Sequence, residues 1–575
     1  MNAVLHAMKN SRFDFVLLVT LVLAFASFNA LWLWHFQRGQ LLDIDEAGYI
    51  GFAVADYQSL AHGGILAFIR TVEAPSIQAP LTTLLAGLAF AFTGVHILSA
   101  FGVVVLAGAG CVAAAFFLAR AFGMGRLSLA PALLVASCPL ILNFSRDFQF
   151  SIPTTFVVTA SLACLANSQR MTRPGWSVLY GVFLGLMPLS RTMTLAFIPA
   201  LLAGTLVYVY AEGLTRWRWK TLWLTVSSLT ALLVALSWLG PNGKYVFHYL
   251  TSYGYGSHAA EYDHGELGIG LLSLIFTFKM LGEYVCLPQF LFIVVAFVMG
   301  VFLLIRVSAK NGLIYAGAAL LRTPAIPAVA FISGVVLALS STANKGNGFI
   351  APAVPAMLVL ACMLLQRACL TSFSRALYIT AVALVAAFGV VPASGLSELT
   401  QPIRVTLPVF GNFKLTSPAA HVRNYVMNDQ SPKANEIWPM PTAKSQQYVN
   451  SFKAAAEYLH GNSAAIGFRG LLFNVNEIIL YQEMQDIPRS PALFQIDPVA
   501  VAATRAGVSS WLTKGPLASV CYLVLSNDVA HQFPPAIPSS VVEEGAQDAK
   551  FNSSDTTWTL PDGEIFTVWQ RADCK

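Results

Sequence analysis

Long apolar segments dominate the first 394 residues and restrict the folds that this chain can adopt. Because a bilayer core admits only helices and closed barrels, the pattern predicts a polytopic α-helical membrane protein. Only 11% of all residues are charged, against about 25% in a soluble domain. The first segment is too long for a signal-peptide core and is interpreted as an uncleaved span. The segments lie at residues 13–36, 79–94, 96–119, 128–143, 153–167, 176–190, 192–211, 221–240, 287–307, 325–341, 350–366 and 376–394.

We expect 11–13 spans, because residues 79–94 and 96–119 together make one net crossing and the amphipathic stretch 269–284 is ambiguous. Lys and Arg collect in short loops, which the positive-inside rule places in the cytoplasm. The loops 37–78, 143–152, 241–286 and 341–349 and the tail 395–575 then face the other side. The prediction is a multi-pass protein of the inner (plasma) membrane. The basic loops hold Lys9/Arg12, Arg120/Arg126, Arg170/Arg173, Arg216/Arg218/Lys220, Arg306/Lys310/Arg322 and Arg367/Arg375.

The chain divides by composition into a transmembrane module at residues 1–394, with a long first outer loop at 37–78, and an extracytoplasmic α/β domain at 395–575. In the tail, 446–460 has helical periodicity, and 520–526 and 565–570 have the composition of strands. Trp558–Gly563 is typical of a hairpin turn. If the two strands are neighbours, Cys521 and Cys574 can form a disulfide in this exported region.

An acidic cluster follows the first span: Asp43, Asp45 and Glu46 lie within four residues. A carboxylate beside hydrocarbon is costly unless it does chemistry, binds a cation or is solvated. Asp45 can also be the N-cap of a helix from Glu46 to Leu60, and capping and catalysis can coexist. The Asp-x-Asp spacing of Asp43 and Asp45 occurs in metal-chelating enzymes, and it is also a common pair without a metal.

Four short motifs together resemble one known family. They are Asp45-Glu46 at the start of a long outer loop, Gln78-Ala79-Pro80-Leu81 leading a span, Ser145-Arg146-Asp147 about a hundred residues later, and the basic-aromatic-proline segment Lys345–Ala356. The set is similar to GT-C type glycosyltransferases that use polyprenyl-phosphate sugars. Within them it resembles the branch of protein O-mannosyltransferases and of the aminoarabinose transferase that modifies lipid A.

The resemblance implies roles for individual residues. Asp45 would be the catalytic base, with Glu46 positioning the loop and Asp147 orienting the acceptor, unless Asp147 merely pairs with Arg146. Lys345 and Arg191 would bind the donor phosphate, although Arg191 can instead reach lipid headgroups. Gln78 stands where this branch often has lysine, so it would contact the donor without supplying charge. The branch is regarded as metal-independent, so no cofactor is expected; a divalent ion would use Asp43 and Asp45.

Loop 241–268 holds further candidates for acceptor or donor contacts: His258, His264 and Tyr255. The glycines around Tyr253 and Tyr255 indicate a mobile loop that can stack on a sugar. Histidines in such a loop are more often ordinary surface residues.

The predicted function is transfer of a hexosyl or pentosyl group from a polyprenyl-phosphate carrier to an acceptor hydroxyl or phosphate on the outer face. The expected partners are this donor, a glycan, lipid or protein acceptor such as lipid A or an envelope polysaccharide, and membrane lipids. A net charge of +6 is no nucleic-acid signal in a chain of this length. The alternatives are a transporter or flippase of lipid-linked sugars and a non-catalytic envelope scaffold.

Overall fold

The computed structural model describes most of the chain and shows two compact units. The described residues are 2–213, 215–256, 258–259, 270–346, 348–369, 371–394, 403–407, 411–415, 442–470, 472–485, 492–527, 532, 536–574. Unit 1 comprises Met1–Leu33, Val72–Thr82 and Phe101–Ala420; unit 2 comprises Trp34–Thr71, Thr83–Ala100 and His421–Lys575. That the membrane part of the chain ends at residue 394 and the extracytoplasmic domain begins at residue 395 stays a prediction.

Unit 1 is built from helices. In chain order they are α1 (Asn2–Trp32, continued by a π-helix, Leu33–Gln37), α4 (Ile97–Ala121), α5 (Leu129–Ala136), α6 (Pro139–Phe144), α7 (Ser151–Asn167), α8 (Pro174–Ser190), α9 (Ile198–Tyr210), α10 (Trp217–Tyr255), α11 (Leu271–Asn311), α12 (Leu313–Leu321), α13 (Ile326–Ser340), α14 (Val354–Ala368) and α15 (Ser372–Ala393). The helices α2 (Ile44–Glu73) and α3 (Leu81–Thr93) belong largely to unit 2.

In the described chain, six helices are long and apolar enough to cross a membrane, or seven if the bent pair α12–α13 is one span. Four shorter apolar helices lie where the sequence also predicted spans. The protein is therefore a multi-pass membrane protein, and the predicted count of 11–13 spans stays a prediction.

Small residues let the helices of unit 1 pack closely. A Cβ atom at Gly181 would lie 2.4 Å from the Ser227 carbonyl oxygen, and one at Gly185 would lie 2.5 Å from that of Ala231. These glycines stand one turn apart on α8, where it contacts α10. Glycine at this spacing permits close approach of membrane helices, so α8 and α10 form a tightly packed pair.

Two predicted loops are helical. The first outer loop is mostly α2, interrupted only at Gly64 with φ 71°. The predicted loop after residue 240 begins inside α10, which runs through Pro241 to Tyr255 over 39 residues. The predicted span ended at residue 240, just before this proline. Asn242 Nδ2, which donates to the Trp238 carbonyl oxygen at 3.2 Å, adds a bond beside the proline.

α11 joins the ambiguous stretch 269–284 to the next predicted span, with a break at Cys286 (φ 63°) just before Pro288. A two-stranded hairpin, β1 (Arg404–Leu407) and β2 (Gly411–Lys414), packs on this helix. Arg404 and Lys414 each lie 3.5 Å from Glu283. This first described part of the tail therefore belongs to unit 1, where charge pairing anchors it to α11.

The rest of the described tail forms the predicted α/β domain in unit 2. Its sheet has the order β4 (Leu493–Gln495), β3 (Ala464–Ile466), β5 (Tyr522–Ser526), β7 (Ile565–Arg571), β6 (Phe551–Thr559). The strands β4, β3 and β5 are parallel, and β7 is antiparallel to both β5 and β6. Apolar clusters cover both faces of the sheet. The helices are α16 (Thr442–Leu459), α17 (Val475–Met484), α18 (Pro498–Val501), α19 (Arg505–Thr513) and α20 (Ser539–Asp548).

The neighbouring strands β5 and β7 bring the two tail cysteines together. Tyr522 pairs with Gln570, and a disulfide joins Cys521 to Cys574 with a Cα–Cα distance of 5.6 Å. The predicted hairpin turn connects β6 to β7, and the predicted helix 446–460 is α16. These parts of the tail could be predicted because strand composition and turn residues are local signals.

We predict that Asp56→Asn stabilises the protein above neutral pH. Asp56 is buried on α2, and burial raises its pKa to about 7. The folded state then binds more protons than the unfolded state between the ordinary pKa and about 7, so stability falls as pH rises through this window. The gain in Tm from Asp56→Asn, measured by thermal unfolding in detergent, should be larger at pH 8 than at pH 4. An equal gain at both values would contradict the assignment.

Candidate active site

The acidic cluster forms the first turn of α2. Asp43 Oδ1 accepts hydrogen bonds from the backbone N–H groups of Asp45 and Glu46, both at 2.8 Å. Glu46 Oε2 in turn accepts from the Asp43 N–H at 3.2 Å. This reciprocal arrangement is a capping box. The interpretation of Asp45 as N-cap of a helix beginning at Glu46 was wrong: Asp43 takes that place, and the helix begins two residues earlier at Ile44.

The three carboxylates therefore have different environments. Asp43 and Glu46 are buried, 5% and 0% exposed, and bond to the backbone of the helix start. Asp45 is exposed. A carboxylate that must take a proton from a substrate has to be reachable, so Asp45 is the member of the cluster best suited to chemistry.

The α/β domain holds the start of α2 through α17. Asn476 Nδ2 donates to the Ile44 carbonyl oxygen at 2.8 Å, and Gln58 Nε2 donates to the Glu483 carbonyl oxygen at 2.7 Å. Between these bonds, Gly48 faces the Asn476 side chain. Sequence reasoning missed Asn476, because the bond joins residues 432 positions apart.

In unit 1, Arg191 lies at the N-terminus of α7. It is the C-cap of α8, and its Nη1 donates to Ser151 Oγ at 3.0 Å. Its guanidinium lies 4.3 Å from the centroid of the Phe349 ring. The N-terminus of a helix carries partial positive charge. Arg191 and the start of α7 together form a positively charged corner, called here the Arg191 corner.

Lys345 belongs to the segment that supplies Phe349. Its Nζ donates to the Thr342 carbonyl oxygen at 2.7 Å, and the side chain is 3% exposed. The Phe349 N–H donates to the Gly346 carbonyl oxygen, which folds the segment back on itself. Lys345 therefore lies in the segment whose Phe349 ring packs against Arg191.

The end of α10 is joined to the same segment. Thr342 Oγ1 donates to the Gly254 carbonyl oxygen at 2.9 Å, and the Tyr255 hydroxyl lies 3.4 Å from Ser341 Oγ. His258 stacks on Tyr253, with ring centroids 4.8 Å apart. The part of the predicted mobile loop up to Tyr255 is the C-terminal end of α10. His264 lies outside the described residues.

Asp147 lies in the buried loop between α6 and α7 and is 4% exposed. The predicted alternative, a pairing of Asp147 with Arg146, is not seen in the described chain. Arg146 instead donates to Asn29 Oδ1 and to the Ala393 carbonyl oxygen, both at 2.8 Å. The Arg146 guanidinium also lies 4.4 Å from the centroid of the Trp32 ring. Arg146 thus fastens this loop to α1 and α15.

Gln78 lies in the segment after α2 that Asn242 holds, since Asn242 Oδ1 accepts from the Ser76 N–H at 2.8 Å. The Gln78 N–H donates to Ser76 Oγ at 3.0 Å. Among the residues that the structure describes, none hydrogen-bonds to Gln78 Oε1, although this atom is buried. An unsatisfied buried amide oxygen is costly, and a hydroxyl or N–H of a bound molecule would satisfy it.

Comparison with solved structures gives the fold. The chain is 14% identical to ArnT from Cupriavidus metallidurans, with a TM-score of 0.54 for the apo state over 97% of this chain and 98% of that one. For ArnT bound to undecaprenyl phosphate the TM-score is 0.55, at 14% identity, over 96% and 97%. The chain has the GT-C glycosyltransferase fold.

Two further comparisons agree with the GT-C fold. The oligosaccharyltransferase AglB from Archaeoglobus fulgidus, in complex with an inhibitory peptide and a dolichol-phosphate, gives a TM-score of 0.52 at 11% identity over 98% of this chain and 75% of that one. The family model for dolichyl-phosphate-mannose-protein mannosyltransferase matches residues 77–240. No curated protein matches the chain in sequence.

We predict that Gly48→Ala destabilises the protein, whereas Gly51→Ala does not. A Cβ at Gly48 would lie 2.8 Å from Asn476 Nδ2, so the amide that bonds to Ile44 would have to move. A Cβ at Gly51 meets its nearest atom at 3.8 Å. Alanine is favoured over glycine in a helix by about 1 kcal/mol, so Gly51→Ala controls for propensity. Thermal unfolding should give a lower Tm for Gly48→Ala alone, and equal values for both variants would refute the role of Asn476.

Proposed function

We propose that this protein is a membrane glycosyltransferase that moves a hexosyl or pentosyl group from a polyprenyl-phosphate carrier to an acceptor hydroxyl or phosphate at the outer face of the inner membrane. The C-terminal α/β domain is then extracytoplasmic. The observation that carries the proposal is the Arg191 corner, where a guanidinium and a helix N-terminus meet beside the Lys345 segment. Support comes from the GT-C fold, whose ArnT example has undecaprenyl phosphate bound.

The Arg191 corner suits a lipid phosphate for physical reasons. Helix N-termini bind phosphate through backbone N–H groups and the helix dipole, and the arginine fork matches phosphate oxygens in pairs. The Phe349 ring packs against the guanidinium, with 4.3 Å between the ring centroid and the guanidinium carbon. As the bond from the sugar to the phosphate breaks, negative charge grows on the leaving phosphate, and fixed cations stabilise it.

Asp45 is the proposed general base. For a hydroxyl acceptor, it takes the proton while the acceptor oxygen forms the new bond to the anomeric carbon. Asp43 and Glu46 hold the first turn of α2 and so orient Asp45. Asp147, Gln78, His258 and Tyr255 are proposed to contact acceptor or donor. No metal ion is needed in this scheme.

We predict that Asp45→Asn lowers transfer about 10²–10⁴-fold, the usual contribution of a general base. Asp43→Asn is the matched control, because asparagine caps a helix as well as aspartate does, and it should keep most of the activity. The measurement is release of free polyprenyl phosphate from a synthetic lipid-linked donor in proteoliposomes, with and without EDTA. Full activity of Asp45→Asn would exclude Asp45 as the base. Loss of activity in EDTA together with loss in Asp43→Asn would point to a metal. Translocation of the donor without release would favour a transporter.

We predict that Arg191→Gln lowers kcat/KM about 10²–10³-fold, as removal of a transition-state donor does. Arg191→Lys should lose less, since it keeps the charge without the planar fork. Arg173→Gln is the control: Arg173 caps the opposite end of α8 and should leave the donor kinetics unchanged. Similar losses for Arg173→Gln and Arg191→Gln would show a general effect of surface charge.

A further inference from the structure

A cavity of about 530 Å³ lies at the end of unit 1 opposite the Arg191 corner. Its wall includes Arg120 at the end of α4, Arg170 after the end of α7, and Lys220 at the start of α10. Glu212 also lines it and forms an ion pair with Arg170. Three cationic side chains and one carboxylate therefore give the wall a positive charge.

Two of the three cations, Arg170 and Lys220, are held in place by carbonyl groups near the end of α9. Arg170 Nε donates to the Tyr208 carbonyl oxygen at 3.1 Å, and Lys220 Nζ donates to that of Val209 at 3.1 Å. Arg170 Nη2 reaches the Arg322 carbonyl oxygen at 2.6 Å. An ammonium has three N–H donors, so the Lys220 bond to Val209 leaves donors for a ligand. These contacts prearrange the charges of the wall.

The turn that carries Arg170 is strained. Gln169, Arg170 and Met171 have φ angles of 49°, 60° and 61°, three consecutive non-glycine residues in the left-handed region. Such conformations are unfavourable for residues with a side chain, and they cluster at ligand clamps and active sites. Both Gln169 and Arg170 line the cavity. The surrounding structure thus holds an unfavourable backbone where it shapes this wall.

Exposed tryptophans beside the cavity are typical of the level of lipid headgroups. Trp217 and Trp219 are 48% and 44% exposed at the start of α10, and Trp219 Nε1 donates to the carbonyl oxygen of Thr172, which lines the cavity. Exposed tryptophans mark the interface between membrane and water. Basic pockets between membrane helices on the cytoplasmic side are suited to anionic headgroups.

We propose that this cavity binds a phosphate-bearing anion, either an anionic phospholipid headgroup or a soluble phosphate compound, through Arg120 and Lys220. The volume falls in the range of small-molecule sites, about 300–1,000 Å³. Arginine and lysine side chains that line one cavity are suited to phosphate oxygens. This site is separate from the proposed transfer chemistry, because it lies at the other end of α7 and α8.

The test uses the full-length protein in a non-ionic detergent. Native mass spectrometry measures retention of phosphatidylglycerol against phosphatidylcholine of the same chain length, and thermal unfolding measures the effect of inorganic phosphate against chloride at equal ionic strength. The variants are Arg120→Gln and Lys220→Gln. Arg173→Gln is the matched control, an exposed cation at the same end of unit 1 that does not line the cavity.

Each lost cation should weaken retention of phosphatidylglycerol about fivefold, while Arg173→Gln keeps the wild-type value. That result supports the site with a lipid as its source. In the other supporting result, inorganic phosphate raises the Tm of the wild type and of Arg173→Gln but not of Arg120→Gln or Lys220→Gln, and phosphatidylglycerol is not retained. That result supports the site with a soluble phosphate compound as its ligand. Equal losses in all three variants, or no effect of either probe on the wild type, would overturn the proposal.

Discussion

The hydrocarbon core accepts no unpaired backbone N–H or C=O group, and the rest of this structure depends on that constraint. It makes unit 1 helical and moves charged chemistry to places where helices end. Arg191 caps α8, Ser151 begins α7, and Lys345 lies in the connection between α13 and α14. The buried Arg146 follows the same logic, because it donates to the carbonyl of Ala393, the last residue of α15. The backbone groups at the end of a helix need hydrogen-bond partners, and they can serve as partners for charged side chains.

The acidic cluster depends on a different part of the chain. Asp43 and Glu46 close the first turn of α2 by themselves, but the direction of that turn is held by Asn476 of the α/β domain, which bonds to the Ile44 carbonyl oxygen. Ser445 Oγ also donates to the carbonyl of Gly39 just before the cluster. The folded α/β domain is therefore part of the support for Asp45. This gives the tail a structural role in unit 2 besides any contact with an acceptor.

Much of this could be predicted from the sequence, because hydropathy, turn residues and strand composition are local. Such signals located the membrane helices, the strands β5 and β7, and the approach of Cys521 to Cys574. They failed where several helix starts or ends were possible. Asp43 and Asp45 are equally good N-cap residues, and only the observed hydrogen bonds decide between them. Pro241 is an ordinary helix breaker, yet α10 continues through it. The Asn476 contact joins distant parts of the chain and leaves no local pattern.

The antiparallel pair α7 and α8 explains why one arginine can change the charge of a whole corner. At that corner the C-terminus of α8, with negative partial charge, adjoins the N-terminus of α7, with positive partial charge, and the two helix dipoles would largely cancel. Arg191 stands on the α8 terminus and its Nη1 reaches Ser151 at the start of α7. Its full positive charge outweighs the partial charge of the α8 terminus and leaves that of α7 unopposed. The net charge of the corner is positive because this cation occupies the C-cap, and a neutral residue there would restore the cancellation.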